Sequence, residues 1–284
     1  MSSIYLRVVG RTDIGNVRKN NEDSFVVADL TGTALIGPEG SSGRFEVGER
    51  GVLLAVSDGM GGLKAGEVAS ALVTETLPKA MRGGRASAPT EERLRVGVQQ
   101  AHEKVWTTAQ EEGIRMGATL TAVYVQGEVA WIAEVGDSRA YLIRAGKISQ
   151  LTKDQSLVQK LLDSGAVSAE DAAHSPYRSV ILQAMGHQED VAVALGRLEL
   201  RARDCLVLCS DGLTTHLSDE DIRNVVLSAP DLSVACDRLV NLAKARGGLD
   251  NITAVLAGLG GPLPAPRVSS EGVEETFEVV QSFG

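Results

Sequence analysis

An α+β fold with β-sheets inside and helices outside is what this chain predicts, and three features carry that expectation. β-Rich runs over Gly117 to Val125, Glu128 to Val135 and Arg139 to Arg144 are separated by the two-residue turn signals Gln126-Gly127 and Gly136-Asp137. Connections so short make an antiparallel meander and cannot hold a crossover helix. Helical stretches come in pairs between groups of strands: Ala65 to Met81 with Thr90 to Glu112, and Ser218 to Leu227 with Leu232 to Ala245. Neither a G-x-G-x-x-G fingerprint nor a Gly-Lys-Ser/Thr loop is present, so the nucleotide-binding α/β motifs are absent.

Taken in order, Tyr5 to Val9 suits a strand, Arg11 to Asn21 a polar connector, and Phe25 to Val27 a short second strand. Asp29 to Arg50, rich in Gly, Ser and Thr, reads as a loop or long hairpin. Val52 to Val56 is an apolar run of buried-strand length. In the first helix Ala65, Val68, Ala69, Leu72 and Thr76 lie near helical spacing, and Pro78 is expected to disturb the last turn. Leu94, Val98, Ala101, Val105 and Ala109 form one apolar stripe on the second, with His102 beside it as a structural residue. Leu151 to Gly165 turns helical, and Ser168 caps a further short helix before Pro176. This segment interrupts the strands as a surface subdomain or flap. Val191 to Leu200, Cys205 to Ser210 and Ile252 to Leu259 supply the last strands, and beyond Gly261 periodicity is lost, giving a flexible acidic tail over 262–284.

The net charge of −9 argues against nucleic acid as a partner, because phosphate backbones are met by clustered Lys and Arg. No apolar run approaches the roughly 20 residues of a membrane span, and Met1 to Arg11 lacks a signal peptide's apolar core. A cytoplasmic protein without membrane contact is expected. Cys205 and Cys209 would lie about 13 Å apart on one strand, too far to bridge. With no paired C-x-x-C, all three cysteines read as small core residues.

Chemistry enters with the carboxylates. The apolar run at Val52 to Val56 ends on Ser57, Asp58 and Gly59, and Leu206 to Gly212 repeats that grammar with Ser210, Asp211 and Gly212. Alone, Asp58-Gly59 reads as a hairpin turn. Two further strands carry an aspartate at one end, Trp131 to Asp137 and Asp250 to Ala257. Four such coincidences suggest carboxylates gathered at one edge of a core, which is how a hard divalent cation is held.

The ordered set Arg18-Lys19-Asn20-Asn21-Glu22-Asp23, Asp58-Gly59-Met60-Gly61-Gly62, Gly66-Glu67, Gly117-Ala118-Thr119, Gly136-Asp137-Ser138-Arg139, Leu151-Thr152-Lys153-Asp154, Ser210-Asp211-Gly212 and Asp250-Asn251-Ile252-Thr253 resembles the metal-dependent protein serine/threonine phosphatases of type 2C (PPM), in their bacterial form. The match spans about Arg11 to Leu259. The resemblance implies a four-layer α-β-β-α sandwich, two antiparallel sheets flanked by helices, as a single catalytic domain over 1–261 with a flap at about 161–178. It also implies two Mn²⁺ or Mg²⁺ ions and a weaker third. Asp58 would bridge the pair, Gly59 would offer its carbonyl to one ion with Glu22 on the same side, and Asp211 and Asp250 would complete the other. Asp137 would serve the third position, Arg18 would grip the substrate phosphate, and Asp23 would support from behind. Oxygen-only ligands suit these ions better than Zn²⁺.

The expected activity is hydrolysis of phosphoserine and phosphothreonine on proteins, by a monomer opposing a bacterial Ser/Thr kinase and acting on that kinase's substrates. Alternatives are a catalytically silent phosphoprotein-binding module, or a phosphatase of a sigma-factor regulator or small phosphate ester. Met60 stands where many eukaryotic relatives carry a His proposed as general acid, so no side-chain acid is assigned. Gln155 replaces a frequent His, and Leu182-Gln183 a common Thr-Arg, which bears on substrate contacts. Thr276 in E-E-T-F is a candidate phosphosite within the tail.

Overall fold

A computed structural model describes residues 3–39, 42–61, 65–84, 88–173, 175–266 and 271–283. The first half contains β1 (Tyr5–Asp13), β2 (Asp23–Asp29), β3 (Leu35–Ile36), β4 (Ser42–Glu46), β5 (Val52–Met60), α1 (Ala65–Gly83) and α2 (Thr90–Glu112). A meander follows, β6 (Gly117–Ala118), β7 (Leu120–Gln126), β8 (Val129–Val135), β9 (Arg139–Arg144) and β10 (Lys147–Gln150), then the short helices α3 (Leu157–Asp163) and α4 (Ala169–Ala173). The chain closes with β11 (Ala194–Glu199), β12 (Cys205–Cys209), α5 (Asp211–Thr214), α6 (Asp219–Ser228), α7 (Leu232–Ala245), β13 (Ile252–Gly260) and β14 (Phe277–Gln281).

Two antiparallel sheets result, one ordered β10-β9-β12-β13-β1-β4 and the other β14-β11-β8-β7-β5-β2-β3, with β6 paired to β5. Helices α1 and α2 cover the outer face of the second sheet and α7 that of the first, with α6 packed beside it, so the four-layer expectation holds. β5 shows why its sequence is a continuous apolar run: Leu53 and Ala55 face α1 and α2, while Val52, Leu54 and Val56 face the opposite sheet. A strand buried on both faces does not alternate.

β5 continues through Asp58 and Gly59 to Met60, so the hairpin-turn alternative is corrected; Gly62 lies outside the described residues. Pro78 sits within α1, which runs on to Gly83. Four strands went unforeseen, β3 and β4 inside the segment read as a loop or long hairpin, β10 just before Leu151 and β14 in the expected tail, and the helix expected from Leu151 begins only at Leu157. The three cysteines are free and buried. Among the described residues no helix is long and apolar enough to cross a membrane.

The flexible tail is the main correction. β14 pairs with β11 as an edge strand, and the chain before it is held by buried polar contacts. Glu271 meets Arg201 at 3.1 Å. Arg144 forms a two-pronged bond with Asp204, at 2.8 and 2.6 Å, and donates to Thr276 Oγ1 at 2.7 Å. Thr276 is therefore buried, 6% exposed, and a kinase would reach its hydroxyl only after this segment opened. Periodicity could not show a segment whose anchors are polar and distant.

Breaking a buried ion pair from one side leaves the other charge uncompensated, at a cost of about 3–5 kcal/mol. Arg144→Met should therefore lower the melting temperature by about 6–15 °C and speed amide exchange across Phe277–Gln281. An unchanged melt would mean that the Arg144 cluster holds nothing.

Candidate functional site

Antiparallel register brings the predicted carboxylates to one end of the sandwich. Asp23 of β2 lies opposite Asp58 of β5. Arg139 at the start of β9 pairs with Cys209 at the end of β12, so the same register carried two residues further sets Asp137 against Asp211. Cys209 also pairs with Ala254 of β13, which brings Asp250, just ahead of that strand, to the same place. Asp13 at the end of β1 pairs with Ile252, and the connector that follows carries Arg18 to the site.

There Arg18, Glu22, Asp58, Gly59, Asp137, Asp211 and Asp250 line one cavity of about 440 Å³, together with Met60. Every site residue taken from the sequence is thus in the same place except Asp23, which stands behind the wall. Arg18 Nη2 pairs with Asp250 Oδ2 at 2.5 Å. A second cavity of about 560 Å³ shares Arg18, Asp137, Asp211 and Asp250 and continues beneath the flap, where Ala172, Arg178 and Leu249 line it.

The backbone around the site is fixed by residues to which the sequence assigned no role. Asn251 is a clasp: its Oδ1 accepts from Glu22 N–H at 2.7 Å, and its Nδ2 donates to the carbonyls of Ile14 and Asn20. Asp58 N–H donates to Thr119 Oγ1 at 2.9 Å, and that hydroxyl meets Ser138 Oγ at 2.7 Å. Ser210 Oγ donates to Asp23 Oδ2 at 2.7 Å. Two motif glycines serve close approach: a Cβ on Gly59 would lie 2.0 Å from the Gly66 carbonyl oxygen, and one on Gly212 would lie 1.9 Å from that of Asn251. The D-N-I-T and S-D-G patterns mark these positions, but their partners lie far along the chain.

Of the three departures from the family pattern, Met60 lines this cavity, and Gln155 and Leu182-Gln183 do not. Gln155 is buried, accepting from Gly136 N–H at 2.9 Å and donating to the Glu134 carbonyl, and Gln183 accepts from Ala192 N–H. Both glutamines thus have a structural role in the chain. His102 is structural as expected, with Nδ1 accepting from Gly186 N–H and Nε2 facing the Glu189 carbonyl.

Burial first, then the neighbouring carboxylates, push Asp58 well above the usual carboxylate range. The same causes raise Asp137 to about 8. Burial raises Asp23 to about 7, against the opposing bonds from Ser210 and Thr253. Asp211 is raised by burial and by Asp250, and shares a hydrogen bond with Asp58. Burial also raises Glu22, with Arg18 pulling the other way.

The donor set fits hard divalent cations. Two buried carboxylate oxygens, Asp23 Oδ1 and Asp211 Oδ1, have no hydrogen-bond partner among the described residues. The side chains that ring the cavity repel one another, and positive charge would relieve that. Among the described residues no three His, Cys, Asp or Glu side chains close into a chelate as they stand. Mg²⁺-like ions keep several waters and take one or two carboxylates each, so a ring around a wet cavity suits them without such closure.

Comparison with known proteins follows the same line. The profile of the family described as Protein phosphatase 2C matches residues 42–257. The serine/threonine protein phosphatase PstP of Mycobacterium tuberculosis is 39% identical over 259 residues, 90% of this chain and 45% of PstP. The chain thus spans less than half the length of that relative. The serine/threonine phosphatase stp of Listeria monocytogenes is 35% identical over 251 residues, 87% of this chain and 93% of the relative. The crystal structure of the PstP catalytic domain in complex with two manganese ions matches with a TM-score of 0.75 at 35% identity, covering 90% of this chain and 99% of that one.

The electrostatics give a pH-dependent outcome. A carboxyl raised in the folded state binds its proton more tightly folded than unfolded, so its penalty is absent below the unfolded carboxylate range and grows as the pH rises toward the folded value, about 8 for Asp137. In EDTA, Asp58→Asn removes one repelling charge and should melt about 2–6 °C above the parent at pH 8, with the gap closing at pH 5. A gap equal at both pH values would show that these carboxylates do not repel one another as described.

Proposed function

We propose that this chain, which belongs to the protein phosphatase 2C family, hydrolyses phosphoserine and phosphothreonine monoesters on proteins at a binuclear Mn²⁺ or Mg²⁺ centre, opposing a Ser/Thr kinase. The observation that carries the proposal is the convergence of Glu22, Asp58, Asp137, Asp211 and Asp250 on one cavity beside Arg18. The two manganese ions of the PstP catalytic domain support the kind and number of ions, and the names of the relatives support the substrate. A catalytically silent module is disfavoured, because every expected carboxylate is retained.

Asp58, Gly59, Glu22, Asp211 and Asp250 would hold the two ions, and Asp137 would serve a weaker third. When bound, two such ions would supply about four positive charges to offset the repulsion between phosphate and hydroxide, and would acidify a water. Arg18 is half-exposed, and its planar fork suits two phosphate oxygens. Its pairing with Asp250 means that an arriving phosphate competes with that carboxylate for the guanidinium. Met60 lines the cavity and has no proton to give, so the leaving oxygen takes its proton from solvent. The cavity beneath the flap gives room for residues flanking the phosphorylated side chain, which supports a role for the flap in substrate choice.

Asp211→Asn or Asp250→Asn should lower kcat/KM on a phosphothreonine peptide by about 100-fold or more with the circular-dichroism spectrum unchanged; full activity in either purified variant would refute the assignment. EDTA should abolish phosphate release and Mn²⁺ restore it, with the peptide preferred over p-nitrophenyl phosphate. Preference for the small ester would move the substrate class.

Arg18→Ala should cost about 10–100-fold in kcat/KM, with Arg18→Lys recovering only part, since an ammonium cannot hold two oxygens in one plane. An alanine variant with the parent's kcat/KM would remove Arg18 from the site.

A further inference from the structure

A further cavity lies apart from the carboxylate site. It encloses about 570 Å³ beside β8, β11 and β14, and its other wall is the segment from Leu151 through α3. Register places Glu134 beside Ala194, and Gly196 between Ile132 and Val279, so these residues share the face turned toward the other sheet. Ile132, Leu151 and Phe277 belong to the core between the sheets. A Cβ on Gly196 would meet the Phe277 ring at 2.6 Å, so glycine lets that ring lie on the strand and close one end. The volume is that of a small-molecule site, which typically encloses about 300–1,000 Å³.

Into this mostly apolar wall the chain sets one buried carboxylate. Glu134 is 2% exposed; its Oε2 accepts from Lys153 N–H at 2.9 Å, and its Oε1 has no hydrogen-bond partner among the described residues. The other charges nearby are engaged or outside. Lys153 Nζ pairs with Asp163 at 2.7 Å, Asp154 is held by both prongs of Arg139, and Lys160 is exposed. Burial pushes Glu134 well above the usual carboxylate range, and a partner that lets it stay charged carries N–H groups and positive charge. Apolar walls around it favour an apolar body.

We propose that this cavity binds a small organic cation, a primary ammonium on an apolar body, with the ammonium donating to Glu134 Oε1. The proposal stands apart from the phosphatase reading, since Glu134 is not among the residues that line the carboxylate site. The two are nevertheless joined. Gln155 accepts from Gly136 N–H and donates to the Glu134 carbonyl, while Leu182 N–H donates to the Gln155 carbonyl at 2.7 Å. Gly136 directly precedes Asp137, so a ligand that shifts Glu134 or Gln155 acts on the carboxylate site through one residue.

The test titrates 2-phenylethylamine and its neutral counterpart 2-phenylethanol into the Mn²⁺-loaded protein by calorimetry. The ammonium should bind about ten-fold or more tightly than the alcohol, as a charge-assisted bond requires. Glu134→Gln keeps the shape and removes the charge, and should bring the two ligands to within about two-fold of each other. Ala194→Phe, which fills the chamber, should abolish both. A crystal structure of the amine complex should place its nitrogen within hydrogen-bonding distance of Oε1, a readout that holds even if Glu134→Gln does not fold. The proposal is overturned by absence of binding, by equal affinities in the parent, by a preference that survives Glu134→Gln, by binding that survives Ala194→Phe, or by a water on Oε1 with no amine beside it.

Discussion

Mutual repulsion among carboxylates fixed at one end of a β-sandwich is the constraint on which the rest of this structure depends. Asp23, Asp58, Asp137 and Asp211 are raised by burial and by one another, and left free they would splay apart. They cannot, because each sits in or beside a strand whose register is set elsewhere. β5 is buried on both faces up to Ser57, and β12 and β13 are packed between the opposite sheet and α7. A one-residue slip would send every side chain to the opposite face, where the packing is shaped for a different partner. The core thus offsets the repulsion, and rigid strands carry a locally unfavourable arrangement of charge, as functional sites commonly require.

How much of this was legible in the sequence follows from where each signal lies. Asp58 and Asp211 were readable because a buried strand ending on Ser-Asp-Gly is a local pattern that occurs twice, and Asp250 because it abuts a third apolar run. Their convergence was not a local property. It comes from pairings such as Cys209 with both Arg139 and Ala254, which no window of sequence contains. Asn251 was visible as a motif letter, yet its role depends on Glu22, Ile14 and Asn20, more than two hundred positions away. Asp58-Gly59 taken alone is good turn chemistry, but Gly59 is required by the closeness of Gly66. β14 escaped because a five-residue edge strand has little periodicity and its anchors, Arg144 to Thr276 and Arg201 to Glu271, are polar and distant.

The connections between these regions matter as much as the site. Gln155 and Leu182 lie at departures from the family pattern, and both belong to the hydrogen-bonded seam joining the Leu151–Asp163 segment to Gly136 and to the chain leaving the flap. Ser156 bridges to Ile181, and Ile181 lines the carboxylate cavity. One face of this seam therefore borders the Asp137 site and the other the apolar cavity with Glu134. Movement of the flap and movement of the meander's end are not separable events in such a fold.

Acid appears in both cavities, but it poses two different chemical problems. At the carboxylate site several oxygens face a wet space, and a hard ion that keeps part of its hydration shell satisfies many of them at once. Glu134 is a single carboxylate with one oxygen already bonded, in a chamber whose other walls are largely apolar. A hydrated divalent ion there would lack ligands for most of its shell and would strip water against apolar surface. An organic cation loses little hydration over its body and needs one strong acceptor for its head. The same carboxyl group, set three positions apart at one strand end as Glu134 and Asp137, is thus suited to an organic ion on one side of the seam and to an inorganic one on the other.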